Sequence, residues 1–187
     1  MLSKPLKICI ATAAVAALGL FAATGAFGAN VTATATVNAG TLSLATSATP
    51  SVSSTLDGTD QTPTYTLPMT ITDATGSGTG WNTTITSTTF STGGGSPHLL
   101  STTASTVTGV SSACATGTCT NPTNSITYPL TVPAAGTAPT AVKLFNAAAN
   151  TGMGKFTVTP TVQVSIPANT YAGTYTSTVT VAVVSGP

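Results

Sequence analysis

Phe156-Thr-Val-Thr-Pro-Thr-Val-Gln-Val-Ser-Ile166 alternates apolar side chains with hydroxyl or amide side chains at every step. Successive side chains of a strand point to opposite faces, so this stretch reads as a strand with one apolar face and one wet face. That is the requirement of an antiparallel sheet covering a core on one side. The same period of two returns in Tyr65, Leu67, Met69 and Ile71, in Ile126, Tyr128, Leu130 and Val132, and in Tyr175, Ser177, Val179, Val181 and Val183. Threonine fills most of the intervening positions. It is β-branched, which favours extended backbone, and its hydroxyl keeps the second face wet. Val31–Val37 and Thr41–Leu44 read as shorter strands.

Between these runs, Gly76-Ser-Gly-Thr-Gly80, Gly93-Gly-Gly95 and Ala172-Gly173 mark turns. Pro68, Pro129 and Pro160 fall inside alternating runs, which predicts edge strands or bulges there, because proline cannot donate to a ladder. The one helix candidate is Ala138–Ala149, where Lys143, Leu144 and Phe145 sit among alanines. Many short strands with glycine-rich turns predict an all-β fold, a two-layer antiparallel β-sandwich that is Ig-like in general architecture.

The N-terminus predicts export. Lys4 and Lys7 precede an almost wholly apolar or small run, Ile8–Phe27, and small residues follow at Ala26, Gly28 and Ala29. Charge, apolar run and small-residue site in that order make a secretory signal peptide over 1–28, leaving one domain over 29–187. An uncleaved anchor is the alternative, since the run is long enough to span a bilayer. Cys9 lies too early, just after Lys7, to be a lipidated cysteine. Once the leader is removed, no membrane association is expected.

The remaining chain is almost free of charge. It keeps Lys143 and Lys155, Asp57, Asp60 and Asp73, and the whole sequence has neither arginine nor glutamate. No basic face for phosphates can be built from this, which excludes a nucleic-acid partner. Cys114 and Cys119 form an even pair in an exported chain and predict a disulfide, closing a short loop that Gly117 can turn. Four intervening residues without a further Cys or His pair do not make a zinc site. No metal and no cofactor are expected.

A family resemblance rests on three stretches. Leu67-Pro-Met-Thr-Ile-Thr-Asp73-Ala-Thr-Gly76-Ser-Gly78-Thr-Gly80-Trp81-Asn82-Thr83 crosses from one strand to the next through a glycine-rich loop ending in Gly-Trp. Phe90-Ser-Thr-Gly93-Gly-Gly95 and Ile166-Pro167-Ala168, followed by Ala172-Gly173-Thr174-Tyr175, come later. Together they resemble the WxL-type cell-wall-binding domain of bacterial surface proteins, over about residues 31–187. The resemblance implies a β-sandwich, a cell-surface location and non-covalent binding to the wall. The family carries two Trp-x-Leu motifs. Here the first reads Trp81-Asn82-Thr83, keeping the tryptophan, and the second reads Val181-Ala182-Val183, without it.

Trp81 can be a stacking platform for a sugar or a core residue joining the sheets; flanking Thr83 and Ile85 at period two favour the core. Trp81, Asn82 and Asp73 are the candidate ligand-binding residues. Asp73 also suits a turn cap, as do Asp57 and Asp60 around Gly58; these two only faintly suggest calcium. Asn30-Val-Thr32 and Asn82-Thr-Thr84 match the glycosylation sequon. His98, the single histidine, has no accompanying nucleophile motif, and three aspartates without glutamate suit glycoside cleavage poorly. No catalytic residue is therefore expected. The function expected is a secreted, non-enzymatic cell-surface protein binding wall polymer or other surface proteins. The alternative is a structural subunit of a filament, pilus or coat, self-associating through strand addition by Val31–Val37.

Overall fold

The computed structural model describes residues 30–187; the expected signal peptide over 1–28 lies outside the described residues. Ten strands follow in chain order: β1 Leu42–Ala45, β2 Thr64–Thr66, β3 Met69–Asp73, β4 Trp81–Thr88, β5 Ser105–Thr116, β6 Leu130–Thr131, β7 Ala134–Ala135, β8 Val142–Ala147, β9 Gly154–Val164 and β10 Val179–Ser185. No helix occurs among the described residues. Residues 37–187 form one compact unit.

The strands make two sheets. The larger has the order β1-β3-β9-β5-β6, with β2 also on β9; the smaller has β10-β4-β7, with β8 also on β4. All pairings between strands are antiparallel except the short contact of β4 with β7. The alternating stretch that opened the sequence reading becomes β9, the central strand of the larger sheet. Its Phe156, Val158, Val162 and Val164 are buried in turn. The first three meet Met69, Ile71 and Val107 of the same sheet and Trp81, Ile85, Leu144 and Phe145 of the other, while Val164 packs in a second cluster with Leu100 and Ala104. This is the two-layer sandwich expected from period two, with the core between the layers.

Several local expectations are corrected. Pro160 lies in the central strand and not at an edge. Its carbonyl accepts from Leu67 N at 3.0 Å, so its missing N–H faces the same partner, at the point where Pro68 separates β2 from β3. The register runs on past it, from Thr66–Thr161 to Met69–Val158, so Pro160 costs this ladder one donor, opposite Leu67. Tyr65–Ile71 is accordingly two strands, not one. Only Leu130 and Thr131 of the run around Pro129 enter a sheet.

The helix candidate Ala138–Ala149 is strand β8. A register shift opposite Thr83 and Thr84 leaves Leu144 as an extra residue, so consecutive Leu144, Phe145, Asn146 and Ala147 are all buried. A bulge breaks period two in this way, which is why the stretch reads as helical from sequence. Val31–Val37 is not a strand: it enters no ladder, and Val31 is 90% and Val37 94% exposed.

Candidate functional site

Strand β4 starts where the glycine-rich loop 76–80 ends, and it carries the first motif position. Trp81 is 0% exposed. Its indole donates Nε1–H to the Gly152 carbonyl at 2.9 Å and lies 5.9 Å from the Phe145 ring, tilted by 39°. The ring therefore sits in the core with its one polar atom satisfied, as a buried indole requires. Asn82, next along β4, donates Nδ2–H to the Gly186 carbonyl at 2.7 Å and is itself buried, so its sequon lies inside the folded domain. The second motif position lies on β10, directly beside the first: Val183 pairs with Thr83 and Ser185 with Trp81. The sheet thus joins two motif positions about a hundred residues apart in the chain.

Asp73 ends β3, 5% exposed, and its Oδ1 accepts Thr75 N at 3.0 Å and Thr75 Oγ1 at 2.7 Å. This is an Asx turn opening the glycine-rich loop. Asp57 does the same in the 57–61 turn, accepting Thr59 N at 2.9 Å, Thr59 Oγ1 at 2.7 Å and Gln61 Nε2 at 2.8 Å. Asp60 accepts the Ala168 N–H at 2.9 Å. The two carboxylates therefore act separately, one within its own turn and one tying that turn to the 167–170 loop. Cys114 and Cys119 are joined, as expected, closing the short loop at the end of β5. Cys119 Sγ also lies 3.3 Å from the Lys155 carbonyl, which seats this loop on β9.

The open concavity lies elsewhere, at the end of the sandwich where three segments distant in sequence meet. Ser91 bridges to Leu99 and to Thr176, which holds the 91–99 loop against the start of the last strand segment. Gln61 bridges to Ile166 and brings in the 52–61 segment. Between them is a cavity of about 440 Å³ walled by Val52, Leu56, Phe90, Leu100, Tyr171 and Tyr175, with Ser53, Ser54, Thr170 and Thr174 at hand. A second hollow of about 250 Å³ adjoins it, sharing Leu100, Thr170, Tyr171 and Tyr175 and adding His98. Tyr171 borders both. It is 66% exposed, yet its ring is fixed: His98 stacks on it with centroids 3.9 Å apart at 13°. Its carbonyl accepts Tyr175 Oη–H at 2.9 Å. No Lys, Arg, Asp or Glu lines either hollow. Sequence reading singled out neither Tyr171 nor its stack with His98. The available signal was a tyrosine and a lone histidine, each in a glycine- or proline-marked loop.

Two kinds of group titrate away from their ordinary values. The Thr59 hydroxyl and amide, with Gln61, hold Asp57 below the usual 3.8. Burial pushes the Tyr65 phenol above 10.0, and burial does the same to Tyr128 against a smaller opposing hydrogen bond from Asn124. A lowered carboxylate stabilises the fold above its ordinary pKa and loses that contribution as pH falls through the folded value. A raised phenol stabilises below its ordinary pKa and loses that contribution as pH rises through the folded value. Denaturation midpoints should therefore stay level between about pH 5 and pH 9, with a shallow acid loss and a steeper alkaline one. A midpoint that falls steadily across the neutral range contradicts this.

The chain also matches a known family model, described as the WxL domain, surface cell wall-binding, over residues 20–187. No curated protein and no solved structure matches it. The match takes in all the described strands, both motif positions and the loops that form the hollows, and the chain belongs to the WxL family of cell-wall-binding surface domains.

Proposed function

We propose that this WxL domain is exported through the 1–28 leader and holds a neutral, glycan-like segment of a cell-wall polymer in the Tyr171 cleft, without catalysing a reaction. The observation that carries this reading is the exposed Tyr171 ring, pinned by His98 at the border of a 440 Å³ hollow that contains no charged side chain. A pinned aromatic face loses little entropy on binding, and a sugar ring offers it an apolar C–H face. Ser53, Ser54, Thr170 and Thr174 supply hydroxyls for the sugar's own. Without lysine or arginine, the cleft suits a neutral ligand better than an anionic one.

Trp81, Asn82 and Asp73 then support binding from below, by fixing the strands and the loop, and do not touch the ligand. The same inventory supports a non-catalytic reading. Glycoside cleavage uses two carboxylates flanking the bond. The aspartates of this domain are engaged in turns, at Asp57, Asp60 and Asp73.

Co-sedimentation of the leaderless chain with isolated cell walls tests the reading. Tyr171→Ala should weaken retention by about tenfold, roughly 1.4 kcal/mol, with an unchanged denaturation midpoint, and Tyr171→Phe should retain most of the binding. Equal retention by wild type and Tyr171→Ala removes the cleft from wall binding.

A further inference from the structure

The edges of the two sheets are treated unequally. The outer edge of β8 is closed by side chains: Asn124 Oδ1 accepts Asn146 N at 3.0 Å, Ser125 N donates to Asn146 Oδ1 at 2.8 Å, and Tyr128 Oη donates to the Leu144 carbonyl at 2.6 Å. The outer edge of β5 beyond β6 is broken by register shifts at Val107/Gly109 and at Cys114/Thr116. Strand β1 has four residues, and β6 and β7 two each. Covered, bulged or very short edges are the usual protections against pairing with another chain.

Strand β10 has none of them. Val-Thr-Val-Ala-Val-Val-Ser runs seven residues without proline, glycine, charge or register shift, and among the described residues it pairs only with β4. Gly186 N donates to Gly80 O, and Thr178 O accepts from Thr88 N. By alternation, Thr180, Ala182 and Val184 turn their backbone groups toward β4, while Val179, Val181 and Val183 turn theirs to the open side. Strand β1 of the other sheet comes near β10, and Leu42, Leu44, Val179, Val181 and Val183 remain only half-buried on the core.

The chain also carries a segment that fits this edge. Val31-Thr-Ala-Thr-Ala-Thr-Val37 matches β10 in length, alternates apolar and hydroxyl residues throughout, and has no charge. It forms no strand in its own fold, and Val31 and Val37 are almost fully exposed. The geometry points to strand donation between copies: Val31–Val37 of one molecule pairs with the open edge of β10 in the next. The donated strand satisfies the outward N–H and C=O groups of Val179, Val181 and Val183. Its Val31, Ala33, Ala35 and Val37 cover the half-buried apolar rim between β10 and β1. No ion pair is disturbed, because neither strand carries a charge.

Sedimentation velocity on the leaderless chain, followed to millimolar concentration, tests this. Wild type should give species heavier than the monomer that grow with concentration. Thr34→Pro with Ala35→Pro removes a donor from each edge of the segment outside the folded core. It should abolish the heavier species and leave the thermal midpoint unchanged. Val181→Pro removes an outward donor from the acceptor edge. If that variant folds, it should also be monomeric alone and form dimers, but nothing larger, when mixed with the Thr34→Pro/Ala35→Pro chain. A wild type that stays monomeric throughout, or a Thr34→Pro/Ala35→Pro chain that assembles like wild type, overturns the proposal.

Discussion

Replacing Trp81 by alanine is expected to remove about 3–5 kcal/mol of stability, a large share of the roughly 5–15 kcal/mol that holds a domain of ordinary stability together. The indole is fully enclosed and touches residues of both layers, so its removal leaves a cavity that strands on either side cannot fill without moving. It also strands the Gly152 carbonyl, which accepts the indole N–H. Trp81→Phe separates the two parts. It restores much of the packing and leaves the carbonyl unpaired, for an expected loss of about 1–3 kcal/mol. Trp81 is the single tryptophan, so its own fluorescence reports the wild-type transition, and circular dichroism serves for the variants. A Trp81→Ala chain within about 1 kcal/mol of wild type would mean that the indole is not the keystone its burial implies. The same measurement guards the wall-binding assay, because a retention loss in Trp81→Ala reports unfolding unless the midpoint is unchanged.

The second large effect is expected at Gly152. Its φ is +72°, a left-handed conformation that costs other residues about 1–2 kcal/mol. A Cβ there would collide with the Ala147 methyl and would lie 2.7 Å from Trp81 Nε1. Overpacking of this kind adds about 1–3 kcal/mol, so Gly152→Ala should lose about 2–5 kcal/mol in all. Gly76 gives the control. Its φ is +64°, but nothing lies within 4 Å of the Cβ it would gain. Gly76→Ala should therefore show the backbone cost alone. Equal losses at the two positions would mean that conformation, and not the closeness of the indole, fixes Gly152.

Where one face of a strand is apolar and the other hydroxyl, the chain announces its fold in its letters. Strand β9 and the core-facing valines of β10 were legible for that reason, and so were the Asp73 turn and the short disulfide loop. Strand β4 obeys a different rule. Thr83, Thr86 and Ser87 are buried, with their hydroxyls on the carbonyls of Phe145, Pro139 and Pro133. Thr83 and Ser87 share the core face with Trp81 and Ile85, and Thr86 is covered on the other face, where a hydroxyl was expected to be wet. Neighbouring carbonyls satisfy these hydroxyls, and that pairing exists only after folding. Strand β5, rich in serine, threonine and alanine, offered no contrast between faces. The bulge in β8 hid that strand behind four consecutive buried residues. The Tyr171 cleft was illegible for a topological reason: Val52, Phe90, Leu100 and Tyr171 come together only through the Gln61–Ile166 and Ser91–Thr176 bridges.

The turn network has a consequence for the surroundings in which such a domain can work. Asp57, Asp60 and Asp73 answer to backbone amides, hydroxyls and a carboxamide. Attraction between separated full charges is weakened by dissolved ions, whereas short bonds to neutral dipoles are not. Loops held in this way do not lose their ties to charge screening as the salt around the domain rises.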